Sequence, residues 1–179
     1  KPRPVTVIAS SSCFVPKPFT PFQWDAQDTY QQFAEKAKIV KSHIARKQIK
    51  YNYHDAKLSS LEGVMARGDR KVSAVIYKAW EKGCRFDSWS EIFDFGKWME
   101  AFEETGVDAA FYANRKRSFD EILPWDHISV GVSKQFMINE RKKAEMAITT
   151  PNCREECSHC GAASFGGGVC FESRKENKI

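Results

Sequence analysis

No run of apolar residues in this 179-residue chain approaches the roughly 20 needed to cross a bilayer, so no membrane-spanning helix is expected. An apolar leader with a cleavage site is missing too, which makes the cytoplasm the expected address. Internal repeats are lacking, so a stacked-repeat architecture is not expected. Cysteine is scarce: six residues fall far short of a secreted disulfide scaffold, and in a reducing cytosol clustered cysteines bind metal more often than one another. Four of the six lie in the last thirty residues, while Cys13 and Cys84, flanked by apolar and turn residues, are expected to be buried inert thiols. A large excess of one charge is absent as well, and a net +5 permits nucleic acid as a partner without demanding it.

What is present is apolar and aromatic. Hydrophobic residues make up 42% and aromatic residues 13%, with five Trp, which implies packed globular structure rather than disorder. The length suits one domain with a proper core, or a large piece of a bigger protein. Lys1-Pro-Arg-Pro running into Val5-Thr-Val-Ile8 reads as a cut just ahead of a strand, so a fragment is expected.

The expected fold class is α+β, mainly α. Val5 to Val15 reads as a strand with its exit loop, closed by Pro16, Pro18 and Pro21, each of which lacks a backbone donor. A helix from Asp25 carries Tyr30, Phe33, Ala37, Val40 and Ile44 at steps of three and four, with Asp25 or Asp28 as its cap. Ile49 to Tyr53 alternates like a short strand. Further helices are expected over Leu58 to Arg67, over Lys71 to Lys82 with Val72, Val75, Ile76 and Ala79 inward and Gly83 as its stop, and from near Phe95 to Gly106. Asp108 offers a cap for Ala109 to Asn114, and Ser133 for a last helix through about Ala147.

The strongest chemical signal is Cys153-Arg-Glu-Glu-Cys157-Ser-His-Cys160, followed by Cys170. A three-residue gap and then a two-residue gap set three sulfurs on one tight turn, as an iron-sulfur cube requires. Radical S-adenosylmethionine (SAM) enzymes hold their catalytic cluster with the same spacing, but that triad precedes most of a barrel, whereas only 19 residues follow Cys160 here. An accessory or structural site is therefore expected, with Cys153, Cys157, Cys160 and Cys170 holding a [4Fe-4S] cluster or, alternatively, tetrahedral zinc. His159 is a substitute ligand in either case, and Gly161 with Gly166 to Gly168 lets backbone wrap closely round a metal.

Several longer motifs carry a resemblance. Phe14-Val-Pro-Lys-Pro-Phe-Thr-Pro-Phe-Gln-Trp24, Tyr51-Asn-Tyr-His-Asp-Ala56, Ala66-Arg-Gly-Asp-Arg70 and Leu123-Pro-Trp-Asp-His127 resemble the C-terminal half of a bacterial family of radical-SAM proteins with a cobalamin-binding-like domain ahead of the barrel. The closing Thr150-Pro-Asn-Cys153 and Cys157-Ser-His-Cys160-Gly161 look like the end of the same family, so the resemblance covers about residues 5 to 162. It implies three successive segments: residues 1–24 as the last strand and exit turn of an incomplete radical-SAM α/β barrel, 25–148 as a helical extension, and 149–179 as a Cys-rich metal-binding tail. The Pro-Lys-Pro-Phe-Thr-Pro turn is similar to the Pro-x-x-Gly-Thr-Pro segment of methylthiotransferases. The catalytic cluster, SAM and possible cobalamin would be held upstream, by a core and a cobalamin-binding-like domain of the same protein, so this chain alone is expected to be inactive. The resemblance names no substrate and no catalytic residue. Phe19, where a smaller or polar residue is expected, and the glycine run before Cys170 depart from the family pattern.

Other residues have two readings each. Phe14 to Trp24 either walls an active-site mouth, with Lys17 near an anionic group of a ligand, or is a rigid turn with Phe22 and Trp24 plugging the core. The turn Ala66 to Lys71 is either a solvated connector capped by Asp69 or an anion grip led by Arg67. His54-Asp55 and Asp126-His127 are expected in buried or capping roles rather than as general bases, and Trp80, Trp89, Trp98 and Trp125 as core. Lys36, Lys38, Lys41, Arg46, Lys47 and Lys50 with Arg115, Arg117, Arg141 and Lys143 would make a basic face; a metal-stapled helical module binding RNA or protein through it is the alternative to the radical-SAM reading.

Overall fold

Local caps decide where the helices begin. The first, α1 (Tyr30–Ser42), starts at Thr29, whose hydroxyl accepts from the Gln32 amide while the Gln32 side chain accepts from the Thr29 amide. This reciprocal capping box replaces the expected Asp25 or Asp28 cap; Asp28 instead pairs with Lys36. The second, α2 (Ala56–Arg67), is capped by Asp55, which accepts from the Leu58 amide at 2.8 Å. Asp69 accepts from the Lys71 amide at 2.8 Å just before α3 (Val72–Glu81). Asp94, Asp108 and Ser133 cap α4 (Phe95–Thr105), α5 (Ala109–Ala113) and α6 (Lys134–Glu145). Gly106, at φ 64°, ends α4 in the left-handed turn that glycine adopts without a steric penalty.

The computed structural model describes residues 5–166. Its strands are β1 (Val7–Ser11) and β2 (Ile49–Tyr53), joined through α1 and paired in parallel with Val7 opposite Ile49 and Ser11 opposite Tyr53. The expected first strand is thus shorter, because residues 12–15 leave the ladder. A 3₁₀ turn over Ala162–Phe165 was not anticipated from the sequence. The class is α+β and mainly helical, and no helix among the described residues is long and apolar enough to cross a membrane.

The chain forms two compact units, and these do not follow chain order. One is Lys1–Pro16 with Asp25–Lys116; the other is Lys17–Trp24 with Arg117–Ile179. In the first, α3 packs on α4, α2 on α5 and α1 on α2. Its core holds Leu61, Val64, Val72, Val75, Trp98 and Phe102. Each such aliphatic side chain contributes roughly 1.5–3 kcal/mol when fully buried. Exposed ion pairs join α3 to α4, with the Lys82 ammonium 2.9 Å from Glu100 and 2.6 Å from Glu104; those hydrogen bonds hold the lysine's pKa above its ordinary value. In the second unit Trp24, wholly buried, meets Phe119 edge-on at 5.0 Å and shares a core with Leu123, Trp125 and Met137.

Two expectations about this core need correction. Trp98 and Trp125 are buried, but Trp80 and Trp89 are 52% and 59% exposed. Ile76 is also exposed, so the buried stripe of α3 is Val72, Val75 and Ala79 alone, while Ile76, Tyr77 and Trp80 face solvent. Trp80 is covered in part by Tyr77, stacked at 5.8 Å, and by the Arg85 guanidinium at 4.9 Å.

Candidate functional site

The cysteine-bearing loop leaves the end of α6 and returns to its start. At its entry the Thr150 hydroxyl lies 2.6 and 2.7 Å from the two carboxylate oxygens of Glu140, and the Lys143 ammonium lies 3.1 Å from the first of them. Those hydrogen bonds, the one from Thr150 foremost, hold the Glu140 carboxyl below the ordinary carboxylate range. Asn152 then folds the chain back: its side chain accepts from the Arg154 amide at 3.0 Å, and its carbonyl from the amides of Glu155 and Glu156 at 3.0 and 3.1 Å. At the far end the Ser133 amide, at the cap of α6, donates to the Cys160 carbonyl at 2.8 Å. One helix therefore anchors both ends of the loop.

Between these anchors Cys153 and Cys157 are exposed and Cys160 is half-buried. The Ala162 amide lies 3.5 Å from Cys160 Sγ and donates to it, which orients that sulfur. Two left-handed residues shape this turn, His159 at φ 54° and Gly161 at φ 100°. Among the described residues no three His, Cys, Asp or Glu side chains already converge on one point, and Cys170 lies outside the described residues. The donor set still suits a thiophilic metal: three thiols within eight residues, one of them already supplied with an N–H···S bond.

The other expected site residues have mostly structural surroundings. Arg67 is wholly buried, and its guanidinium donates to the carbonyls of Ala113 at 2.8 Å and Arg115 at 3.3 Å. It ties the end of α2 to the end of α5, and solvent does not reach it as a grip on a free anion would require. Lys17 is exposed, on a turn closed by the Thr20 hydroxyl donating to the Lys17 carbonyl at 2.8 Å. That turn is locked by Gln23, a buried residue that no local sequence pattern marks. Its Oε1 accepts from the Trp125 indole at 2.6 Å and from the Phe19 amide at 3.1 Å, which holds Phe19 in a left-handed conformation at φ 58°. Phe22 is 41% exposed, under the guanidinium of Arg141, so only Trp24 plugs the core as expected.

His54 and His127 are exposed, while their neighbours Asp55 and Asp126 serve the backbone, Asp126 accepting from the Leu123 amide at 3.0 Å. Cys84 is buried, and burial pushes its thiol pKa up; Cys13 is only half-buried, near the His54 carbonyl. The proposed basic face is depleted. Arg117 is buried over the Trp125 ring, Lys36 pairs with Asp28, Arg141 with Glu145 at 3.1 Å, and Lys143 with Glu140.

A groove of about 1080 Å³ runs between α1 and one face of the two-stranded sheet. Its walls include Phe33, Ala37 and Val40 from the helix, and Ser11, Tyr51 and Tyr53 from the strands. Ser11 and Tyr51 share a hydrogen bond of 2.6 Å there, and the two tyrosines stack at 5.4 Å. The alternation of the strands turns Ile8, Ser10, Lys50 and Asn52 to the opposite face. No family model, curated protein or solved structure matches the chain.

Proposed function

We propose that this chain is the C-terminal part of a radical-SAM iron-sulfur protein, contributing the edge of a parallel barrel and an accessory metal site. The observation that carries the reading is the parallel β1–α1–β2 unit. Parallel pairs need a long crossover and occur almost only inside larger sheets covered on both faces. Here the ladder has two strands among the described residues, and apolar residues at its start stand open, with Val5 75%, Val7 52% and Ile8 61% exposed. Such an element gains stability when further strands extend it, which agrees with the barrel edge that the sequence motifs imply.

On this reading the row Ile8, Ser10, Lys50 and Asn52 faces the barrel interior, and α1 covers the outside. Cys153, Cys157, Cys160 and Cys170 hold the accessory metal, a [4Fe-4S] cluster with zinc as the rival. When bound, such a cluster supplies one-electron transfer, whereas zinc supplies only structural cross-linking. The chain's own part is to hold that group on α6.

The test has two arms. Anaerobic purification followed by metal analysis is expected to return about four irons per chain with a broad absorption near 400 nm, as thiolate-bound clusters show; about one zinc and no colour would make the tail a structural staple. The full-length protein, reconstituted with iron and sulfide and reduced, is expected to cleave SAM to 5′-deoxyadenosine. Failure of that cleavage in a protein with its clusters loaded would remove the radical-SAM assignment.

A further inference from the structure

We infer that Gly161 and Ala162 are positioning residues for the metal site, holding the Cys160 sulfur in place as the first ligand for a thiophilic cation. The inference rests on the metal-site reading of the cysteines given above. It adds residues that are not themselves ligands, and it orders the ligands.

At φ 100° and ψ −16° Gly161 turns the chain so that the amide two positions after the cysteine meets that cysteine's own sulfur. A side chain at 161 is opposed twice. L-residues rarely adopt this φ, and a Cβ there would lie 2.7 Å from the Gly131 carbonyl oxygen and 3.5 Å from the Ser133 amide nitrogen. Those two neighbours flank the start of α6, the helix that also binds the Cys160 carbonyl through Ser133. Cys160 is thus fixed from both sides: its carbonyl is docked on the helix cap, and its sulfur is met by the Ala162 N–H.

His159 adds to the case. A non-glycine residue at φ 54° is strained and persists only where its surroundings enforce it. The turn around Cys160 therefore stores strain beside a half-buried sulfur, a pattern expected of a ligand position and not of an inert thiol. Cys153 and Cys157 are exposed and carry no comparable constraint among the described residues. Metal capture accordingly begins at Cys160 and recruits the other two, and occupancy ties residues 153–160 to α6.

The probe is Co²⁺, titrated into the reduced, metal-free 179-residue chain and followed by thiolate-to-cobalt charge-transfer absorption. The native chain is expected to develop that band and Cys160→Ser to lose most of it. Gly161→Ala, which misdirects the amide, and Ala162→Pro, which deletes the N–H, are each expected to weaken cobalt binding about 10–100-fold, the range for changes just outside a metal's own ligands. Cys84→Ser, remote in sequence and buried in the other unit, is expected to bind as the native chain does. Cobalt affinity equal to the native value in either folded variant would overturn the positioning role while leaving the metal site standing. Absence of the cobalt band in the native chain would instead overturn the metal-site reading and this inference with it. If one variant loses its helical circular dichroism, the other decides; loss in both overturns the inference, since positioning a ligand leaves the fold intact.

Discussion

Replacing Gly63 with alanine separates helix propensity from packing, because the two predict opposite signs. Gly63 lies inside α2, where alanine is favoured over glycine by about 1 kcal/mol, so propensity alone predicts a gain. The structure predicts a loss. A Cβ at 63 would stand 2.0 Å from Gln27 Oε1, 2.6 Å from its Cδ and 2.9 Å from its Nε2. Gln27 cannot swing aside cheaply: it is 2% exposed, its Nε2 donates to the Ser59 carbonyl at 2.8 Å, its amide to the Ala113 carbonyl at 2.9 Å, and its carbonyl accepts from Asn114 at 3.0 Å. Overpacking costs about 1–3 kcal/mol. Displacing the amide from the buried Ser59 carbonyl costs about 1–3 kcal/mol more. Less the propensity gain, Gly63→Ala is expected to destabilise by about 3 kcal/mol, and at a slope near 2 kcal/mol per molar urea its midpoint falls by about 1.5 M. Gln27→Ala in the same chain makes room, so the double variant is expected to lie about 1–2 kcal/mol above the sum of the two single effects. A Gly63→Ala protein as stable as the native one, or strict additivity of the pair, would refute the reasoning.

Three further outcomes follow from burial and charge. Trp24→Ala is expected to cost about 3–5 kcal/mol, because the ring is wholly buried, while Trp89→Ala, at 59% exposure, stays within about 0.5 kcal/mol by the same denaturation assay. In the metal-free chain a maleimide at neutral pH is expected to modify exposed Cys153 and Cys157 promptly and Cys84 only after urea unfolding, since burial both shields that thiol and raises its pKa; mass spectrometry of the labelled peptides reads this. Glu140 is depressed in the folded chain by Thr150 and then Lys143, so its contribution is fully present above the unfolded carboxyl value of about 4.3 and is lost as pH falls through the lower folded value. Glu140→Gln should therefore destabilise at pH 7 and do so progressively less below about pH 4, as urea midpoints across that range would show.

The sequence was most legible where periodicity and a cap residue coincide. Asp108, Ser133, Gly83 and Gly106 stand at element ends because each acts through its own backbone or a group a few residues away. It was least legible where the partner is distant. Neither a solvated connector nor an anion grip is what Arg67 turns out to be, because its acceptors, the carbonyls of Ala113 and Arg115, lie more than forty residues on. Gln23 and Gln27, which lock the Trp24 turn and the α2 interior, are invisible locally because a lone glutamine carries no pattern. Trp80 is hard to place for another reason: α3 is apolar on two faces, and composition does not say which one is covered, while Trp89 stands in the turns between α3 and α4, where no periodicity marks an inner side. At the start of α1 two carboxylates obscured a threonine–glutamine capping box, whose reciprocity is visible in geometry but easily missed in a list of acidic residues. The metal loop was read from its spacing, yet the role of the Ala162 amide depends on a left-handed glycine and on a helix cap nearly thirty residues earlier.

The interleaving of the two units bears on how the protein is made and lost. Trp24 leaves the ribosome long before Leu123, Trp125 and Met137, the residues that will bury it, and the whole of residues 25–116 emerges in between. Synthesis from the N-terminus can complete the first unit on its own, but the second waits with its central tryptophan in water. A stop codon or a protease cut near residue 116 would therefore not release a clean half. It would leave Lys17–Trp24 as a sticky apolar loop on an otherwise finished body, a form that quality-control proteases can tell from the complete chain.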